Sequence, residues 1–180
     1  MNPLTHMKKF LSFVLAVAIC APAFAQRGPK LEQSIAIGDV KMSLNYTSIN
    51  FGEGKTIGTL MSKEGAEMRE GMNTRMAARP GATFITTVDC KCGDVTLAAG
   101  EHKVYFTIGE DLVWSLNFKS GEKVQSVKLT LTDSGHESKQ LMMCLYAADG
   151  GAAGVYLAFG KMSGDIKFTA APATPKTDGK

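Results

Sequence analysis

Residues 97–118, LAAGEHKVYFTIGEDLVWSLNF, hold two alternating runs on either side of a short acidic turn. In the first run Val104, Phe106 and Ile108 alternate with Tyr105 and Thr107. After Gly109-Glu110-Asp111, Leu112, Trp114, Leu116 and Phe118 alternate with Val113, Ser115 and Asn117. A period of two is the mark of a half-buried strand. The short turn joins the two runs as an antiparallel hairpin. The single tryptophan, Trp114, shares its face with Leu112, Leu116 and Phe118, so it reads as core.

The same rhythm continues outward. Towards the N-terminus, Val40, Met42, Leu44 and Tyr46 alternate with Lys41, Ser43, Asn45 and Thr47, and an earlier run, Leu31–Ile37, is set off by Gly38-Asp39. Thr83–Asp89 is rich in β-branched residues, and Asp94–Leu97 is a short run. Towards the C-terminus, Val127, Leu129 and Leu131 alternate with polar residues, and Asp133-Ser134-Gly135 reads as a turn. Leu141–Tyr146 is apolar on both faces and reads as a strand buried on both sides. Runs around Val155–Phe159 and Ile166–Phe168 follow. About nine to ten short strands at this spacing predict an all-β domain, an antiparallel β-sandwich or flattened barrel. No βαβ alternation is present.

One region breaks the pattern. SKEGAEMREGMNTRMAA, residues 62–78, carries helix formers, Ser62 as a candidate N-cap, Glu64 in the first turn, and Met68, Met72 and Met76 at helical spacing. Gly65 and Gly71 oppose a helix by about 1 kcal/mol each. The balance predicts one short helix near 62–78, ended by Pro80-Gly81. Phe51–Lys55, with two glycines, reads as a turn.

The ends of the chain read differently. Lys8 and Lys9, the apolar run 10–20 and Ala23-Phe24-Ala25 form a leader with cleavage expected after Ala25. Met7 is an alternative start. Lipidation at Cys20 is disfavoured because Ile19 is not small. Residues 26–30 form a flexible lead-in, 31–169 a single domain, and 170–180 a Pro/Ala/Lys tail expected to lack order. Of the chain's 180 residues, 155 remain after the leader, with Lys+Arg 18 and Asp+Glu 17. That near-neutral balance, with lysines scattered singly, argues against a nucleic-acid partner. No second membrane span follows the leader. The expected location is periplasmic or extracellular.

Three cysteines survive cleavage. Cys90 and Cys92 lie at i and i+2, on one side of a strand. The expected disulfide is Cys92 to Cys144, with Cys90 to Cys144 as the alternative. It closes a loop of about 50 residues, contributes roughly 4 kcal/mol, and leaves one free thiol. No metal site or cofactor is expected, because CxC lacks a second ligand cluster.

Catalytic signals are weak. His102 and His136 are the mature chain's histidines, and both read as core-satisfied or solvated residues. No G-x-S-x-G elbow, P-loop or dinucleotide fingerprint is present. Glu110-Asp111 and Asp133 with Glu137 fall in turns, where acids are ordinary. Tyr46, Tyr105, Trp114, Tyr146 and Tyr156 offer a sugar-stacking face, against which stands ordinary packing. No catalytic residues are assigned. The residues favour a non-catalytic module of the cell envelope, binding a small molecule, a glycan or an envelope protein. The alternatives are a hydrolase of envelope polymers and a purely structural protein.

Thr83-Phe84-Ile85-Thr86, the run Asp94–Gly100, Val104–Ile108 and Glu110–Asn117 together resemble the exported family called domain of unknown function 2911, as do Val40–Thr47 with their Tyr46-Thr47 ending. In that family Asp94–Gly100 corresponds to a strand with an L-P-A-G turn, here with alanine for proline. Two departures mark this chain: Ala78–Thr83 stands where the family has G-A-N-E-A-T, and its S-R-P is missing. The resemblance implies an exported, all-β domain without an established activity. It directs attention to residues 62–82, where the chain departs from the family.

Overall fold

A computed structural model describes residues 28–50 and 55–170. The expected leader, cleavage site, start of the lead-in, residues 51–54 of the expected Phe51–Lys55 turn and residues 171–180 lie outside the described residues; Lys55 itself opens a helix. The chain forms two antiparallel sheets packed as a sandwich. The first has the order β1(Lys30–Ile37), β2(Val40–Thr47), β3(Ala82–Thr86), β6(Gly100–Ile108), β7(Trp114–Ser120), β8(Lys123–Lys128). The second has the order β5(Val95–Leu97), β4(Cys90–Cys92), β10(Ala152–Ala170), β9(Thr132–Ala148). The alternating residues set the faces. Leu44 opposes Phe84, and Phe106 opposes Leu116 in register, so one face of the first sheet is continuously apolar.

That face meets Phe159 and Phe168 of β10. Phe168 stacks on Phe84 at 4.7 Å between ring centroids and crosses Phe118 at 6.0 Å, while Phe159 packs on Trp114 at 4.6 Å. Each fully buried aromatic contributes roughly 1.5–3 kcal/mol by leaving water. Trp114 is a core residue, as its alternation predicts, and its Nε1 donates to Met61 Sδ.

The flank beside β9 is sealed by side chains. The inward residues of β9 turn their backbone groups to the sheet edge. Gln33 of β1 donates from Nε2 to the Met143 carbonyl (2.8 Å) and accepts from the Leu145 N–H at Oε1 (2.7 Å). Tyr46 Oη accepts from the Met143 N–H (3.0 Å), Ser48 Oγ donates to the Leu141 carbonyl (2.9 Å), and the Leu141 N–H reaches the Ile49 carbonyl (2.8 Å). On the opposite flank Gln125 Nε2 of β8 donates to Thr96 O of β5.

Several local expectations change. Residues 133–135 do not end a strand. β9 and β10 run 17 and 19 residues, with irregularities rather than turns. Gly135 and Gly160 carry them at φ 70° and 55°, a conformation that favours glycine. A Cβ on Gly160 would also lie 2.8 Å from Ile57 Cδ1. β8 stops at Lys128, and buried Leu129 turns into the core. The lead-in is tied down at Pro29, whose carbonyl accepts from the Ser48 N–H, and Ala170, expected in the tail, pairs with Cys90. Leu141–Tyr146 is buried on one face only, since Met142 and Cys144 are exposed.

Neither expected disulfide forms. Cys90, Cys92 and Cys144 are all free. Cys90 and Cys92 do share a face, but it is the core face, at 0% and 1% exposure. Cys144 points the other way on β9. It sits opposite Tyr156, whereas Cys90 sits opposite Ala170 at the far end of β10. Burial pushes the Cys90 thiol up to about 11 and the Cys92 thiol up to about 12, so both are protonated and inert.

Thiol titration of the mature protein in denaturant without reductant is therefore expected to count three thiols, and in the native state only Cys144. A count of one in denaturant would restore the disulfide. The raised values also set a pH dependence. The unfolded chain loses its thiol protons near the ordinary 9.0 while the fold retains them. Stability present below pH 9 should thus fall as pH rises towards 11, by about 1.4 kcal/mol per unit for each thiol. Urea unfolding of the Cys90→Ala/Cys92→Ala variant should show a correspondingly flatter profile.

Candidate binding site

The excursion between β2 and β3 closes one end of the sandwich. It comprises α1(Lys55–Leu60), a single 3-10 turn at Lys63–Gly65, and α2(Ala66–Ala78). The expected helix over 62–78 is thus present, preceded by a short helix that the sequence does not announce. Ile57 and Leu60 of α1 are buried in the core. Ser62 caps nothing with its side chain; its Oγ donates to the Thr59 carbonyl instead. Gly65 lies outside α2 as its N-cap, where a Cβ would stand 1.9 Å from the Thr59 oxygen. Gly71 faces open space, so only it carries the mid-helix cost. The methionine stripe is not uniformly inward: Met72 and Met76 pack against the core, while Met68 is 44% exposed.

Two polar residues one turn apart hold α2 in place. Arg69 is buried, and its Nη1 donates to the carbonyls of Leu60 and Ser62. The Leu60 carbonyl lies at the end of α1, where helical partners run out; the Ser62 carbonyl, two residues beyond, also accepts from the Gly65 N–H at 3.3 Å. Asn73 acts on the sheet. β3 covers β6 only as far as Val104, which leaves the β6 edge open beyond it. Asn73 Nδ2 donates to Ile108 O, and the Ile108 N–H donates to Asn73 Oδ1, both at 2.9 Å. One amide side chain thereby replaces a missing strand.

The anchored helix separates two open hollows. One, of about 880 Å³, is lined by Glu64, Glu67, Met68, Glu70, Thr74 and Arg75. The other, of about 550 Å³, lies between α2 and the β6–β7 turn and includes Arg69, Asn73 and Glu110. Both share Glu67, Glu70 and Thr74. The trough is shallow and mixed in character: the exposed Met68 thioether lines the first hollow only, and carboxylates and guanidinium groups line both.

The remaining candidates disperse. His102 is buried beside Phe118; its Nε2 donates to the Ala98 carbonyl at 2.8 Å, and its buried Nδ1 has no partner among the described residues. His136 is exposed, on a stretch that lies inside β9 rather than in a turn. Among the described residues neither ring meets a carboxylate or a serine hydroxyl. Asp111 serves its turn: the Val113 N–H, and then Lys128, hold its carboxyl below the usual range. Asp133 accepts from the Gly135 N–H. Asn117, where the resemblance to the family ends, ties three strands: it donates to Tyr105 O and Thr107 Oγ1 and accepts from Ser126 Oγ. Of the five aromatic residues offered as a stacking face, Tyr46, Tyr105 and Trp114 are buried; only Tyr146 and Tyr156 are half-buried.

Comparisons with protein-family models, with curated proteins and with solved structures find no match for this chain.

Replacing Arg69 with methionine keeps the bulk but leaves two carbonyls without their cation. Urea unfolding of Arg69→Met should show a loss of roughly 3 kcal/mol. A change within about 0.5 kcal/mol, as at an ordinary surface site, would contradict the clamp.

Proposed function

We propose that this protein is an exported, non-catalytic module of the cell envelope, and that the trough along α2 docks a polypeptide partner. The family resemblance and the leader support export. The observation that carries the docking reading is Met68. It is a long apolar side chain left 44% exposed on a helix clamped by Arg69 and Asn73, in a hollow also lined by Glu64, Glu67, Glu70 and Arg75. An apolar anchor inside a charged rim is the anatomy of a protein–protein contact. Small-molecule sites are more enclosed and more uniformly apolar. The excess of carboxylates favours a basic partner segment and slows approach of acidic ones.

A photo-crosslinking amino acid placed at position 68 in cells should capture one defined envelope protein. The adduct should fade in the Glu67→Lys/Glu70→Lys background. The same probe at Val124, equally exposed on β8, should not capture it. No adduct at 68, or the same adduct from both positions, would remove the docking reading. Turnover of an envelope polymer that His102→Ala/His136→Ala abolished would remove the non-catalytic one.

A further inference from the structure

The β9–β10 hairpin has a second face, turned away from the core, and its composition is unusual for a solvated sheet. Met142 and Cys144 are exposed there, and Tyr146 and Tyr156 are half-buried. Tyr146 lies opposite Gly154 and Tyr156 opposite Cys144. The two tyrosines are therefore diagonal cross-strand neighbours, about 7 Å apart.

Tyr146 rests on its neighbour strand. A Cβ on Gly154 would lie 2.2 Å from the Tyr146 Cζ, so the ring takes the space that any other side chain would fill. Its hydroxyl donates to Asp165 Oδ2 at 2.9 Å. Burial first, and then the Asp165 carboxylate, raise the Tyr146 pKa, which keeps the phenol a donor at neutral pH. Asp165 Oδ1 has no hydrogen-bond partner among the described residues, so an acceptor stands ready beside the ring.

We propose that the Tyr146–Tyr156 face is a glycan-binding site, taking a neutral polysaccharide chain whose sugar rings stack on the tyrosines while Asp165 accepts a hydroxyl. A pyranose presents an apolar C–H face and a rim of hydroxyl donors, which match a flat phenol ring flanked by a carboxylate. Competing occupants fit less well. A stable protein contact needs about 800 Å² from each partner, more than a strip of four side chains offers. An anionic membrane surface or an acidic glycan would be repelled by Asp165, and the exposed Lys167 two residues along the same strand face falls short of the cluster of basic residues that an anionic surface needs. The site is separate from the α2 trough and does not depend on its having a partner.

The test uses the mature chain and soluble oligosaccharides as probes: neutral β-linked glucose and N-acetylglucosamine oligomers, with an oligogalacturonate as acidic control. Calorimetry should show binding of a neutral oligomer and none of the acidic one. Tyr156→Ala should weaken binding about tenfold. Asp165→Asn should weaken it several-fold, and Glu67→Lys/Glu70→Lys should leave it unchanged. Tyr146→Ala uncovers Gly154 and risks the fold, so Tyr156→Ala, checked by its amide NMR spectrum, carries the test. No binding of either neutral oligomer at millimolar concentration, equal binding of the acidic one, or binding untouched by Tyr156→Ala would overturn the assignment.

Discussion

The outer edge of β9 presents a row of backbone N–H and C=O groups at Leu141, Met143 and Leu145, and among the described residues no strand pairs with them there; an isolated antiparallel bridge joins Asn50 to Gln140 at its end. Left open, such an edge invites pairing with another chain; buried without partners, each group costs about 1–3 kcal/mol. The chain answers with Gln33, Tyr46, Ser48 and the Ile49 carbonyl. Gln33 is the central piece, since its amide donates and accepts as a backbone unit would. These bonds join the first sheet to the second across the flank. They keep the long hairpin a wall of the sandwich rather than a flap. The Leu141, Met143 and Leu145 side chains stay in the core, and alternation then dictates that Cys144 and Tyr146 face outward.

The same device recurs at the other end of the core. β6 outruns β3, and the exposed edge at Ile108 is met by Asn73 from α2. In both places an amide side chain substitutes for strand pairing. The consequence for function is that α2 and the β9–β10 hairpin are rigidly placed, while their outward faces remain free for other chemistry. The aromatic residues divide accordingly: Trp114, Phe106 and Phe159 form one cluster, Phe84, Phe118 and Phe168 another, and Tyr146 and Tyr156 remain on the surface.

The sheets were legible in the sequence because alternation is local: Val104–Ile108 and Trp114–Phe118 declare their faces within a few residues, although Leu112, expected in the second strand, sits in the turn before it at φ 61°. The long strands were not, since Gly135 and Gly160 look like turns and act as irregularities in continuous strands. In LMMCLY, apolar residues on both faces conceal which side is buried, and this also misdirected the disulfide expectation. KTIGTL, with two β-branched threonines and an isoleucine, gives no helical signal; α1 exists because Ile57 and Leu60 find the core. The site residues were the least legible. Arg69, Asn73 and Gln33 look like ordinary surface polar residues, and their partners lie 9, 35 and about 110 positions away. No local pattern reports a bond of that reach. The tyrosines were visible as candidates, but only register separates the two that face outward from those in the core.

Native-state hydrogen exchange of three backbone amides tests the sealed flank most directly. With Gln33, Tyr46 and Ile49 holding them, the Leu145, Met143 and Leu141 N–H groups should exchange only through opening of the whole sandwich, with protection equal to the global stability. Exchange of these amides as fast as that of the exposed Val124 would contradict the account, because β9 would then be an open edge and its outer face would have no fixed support.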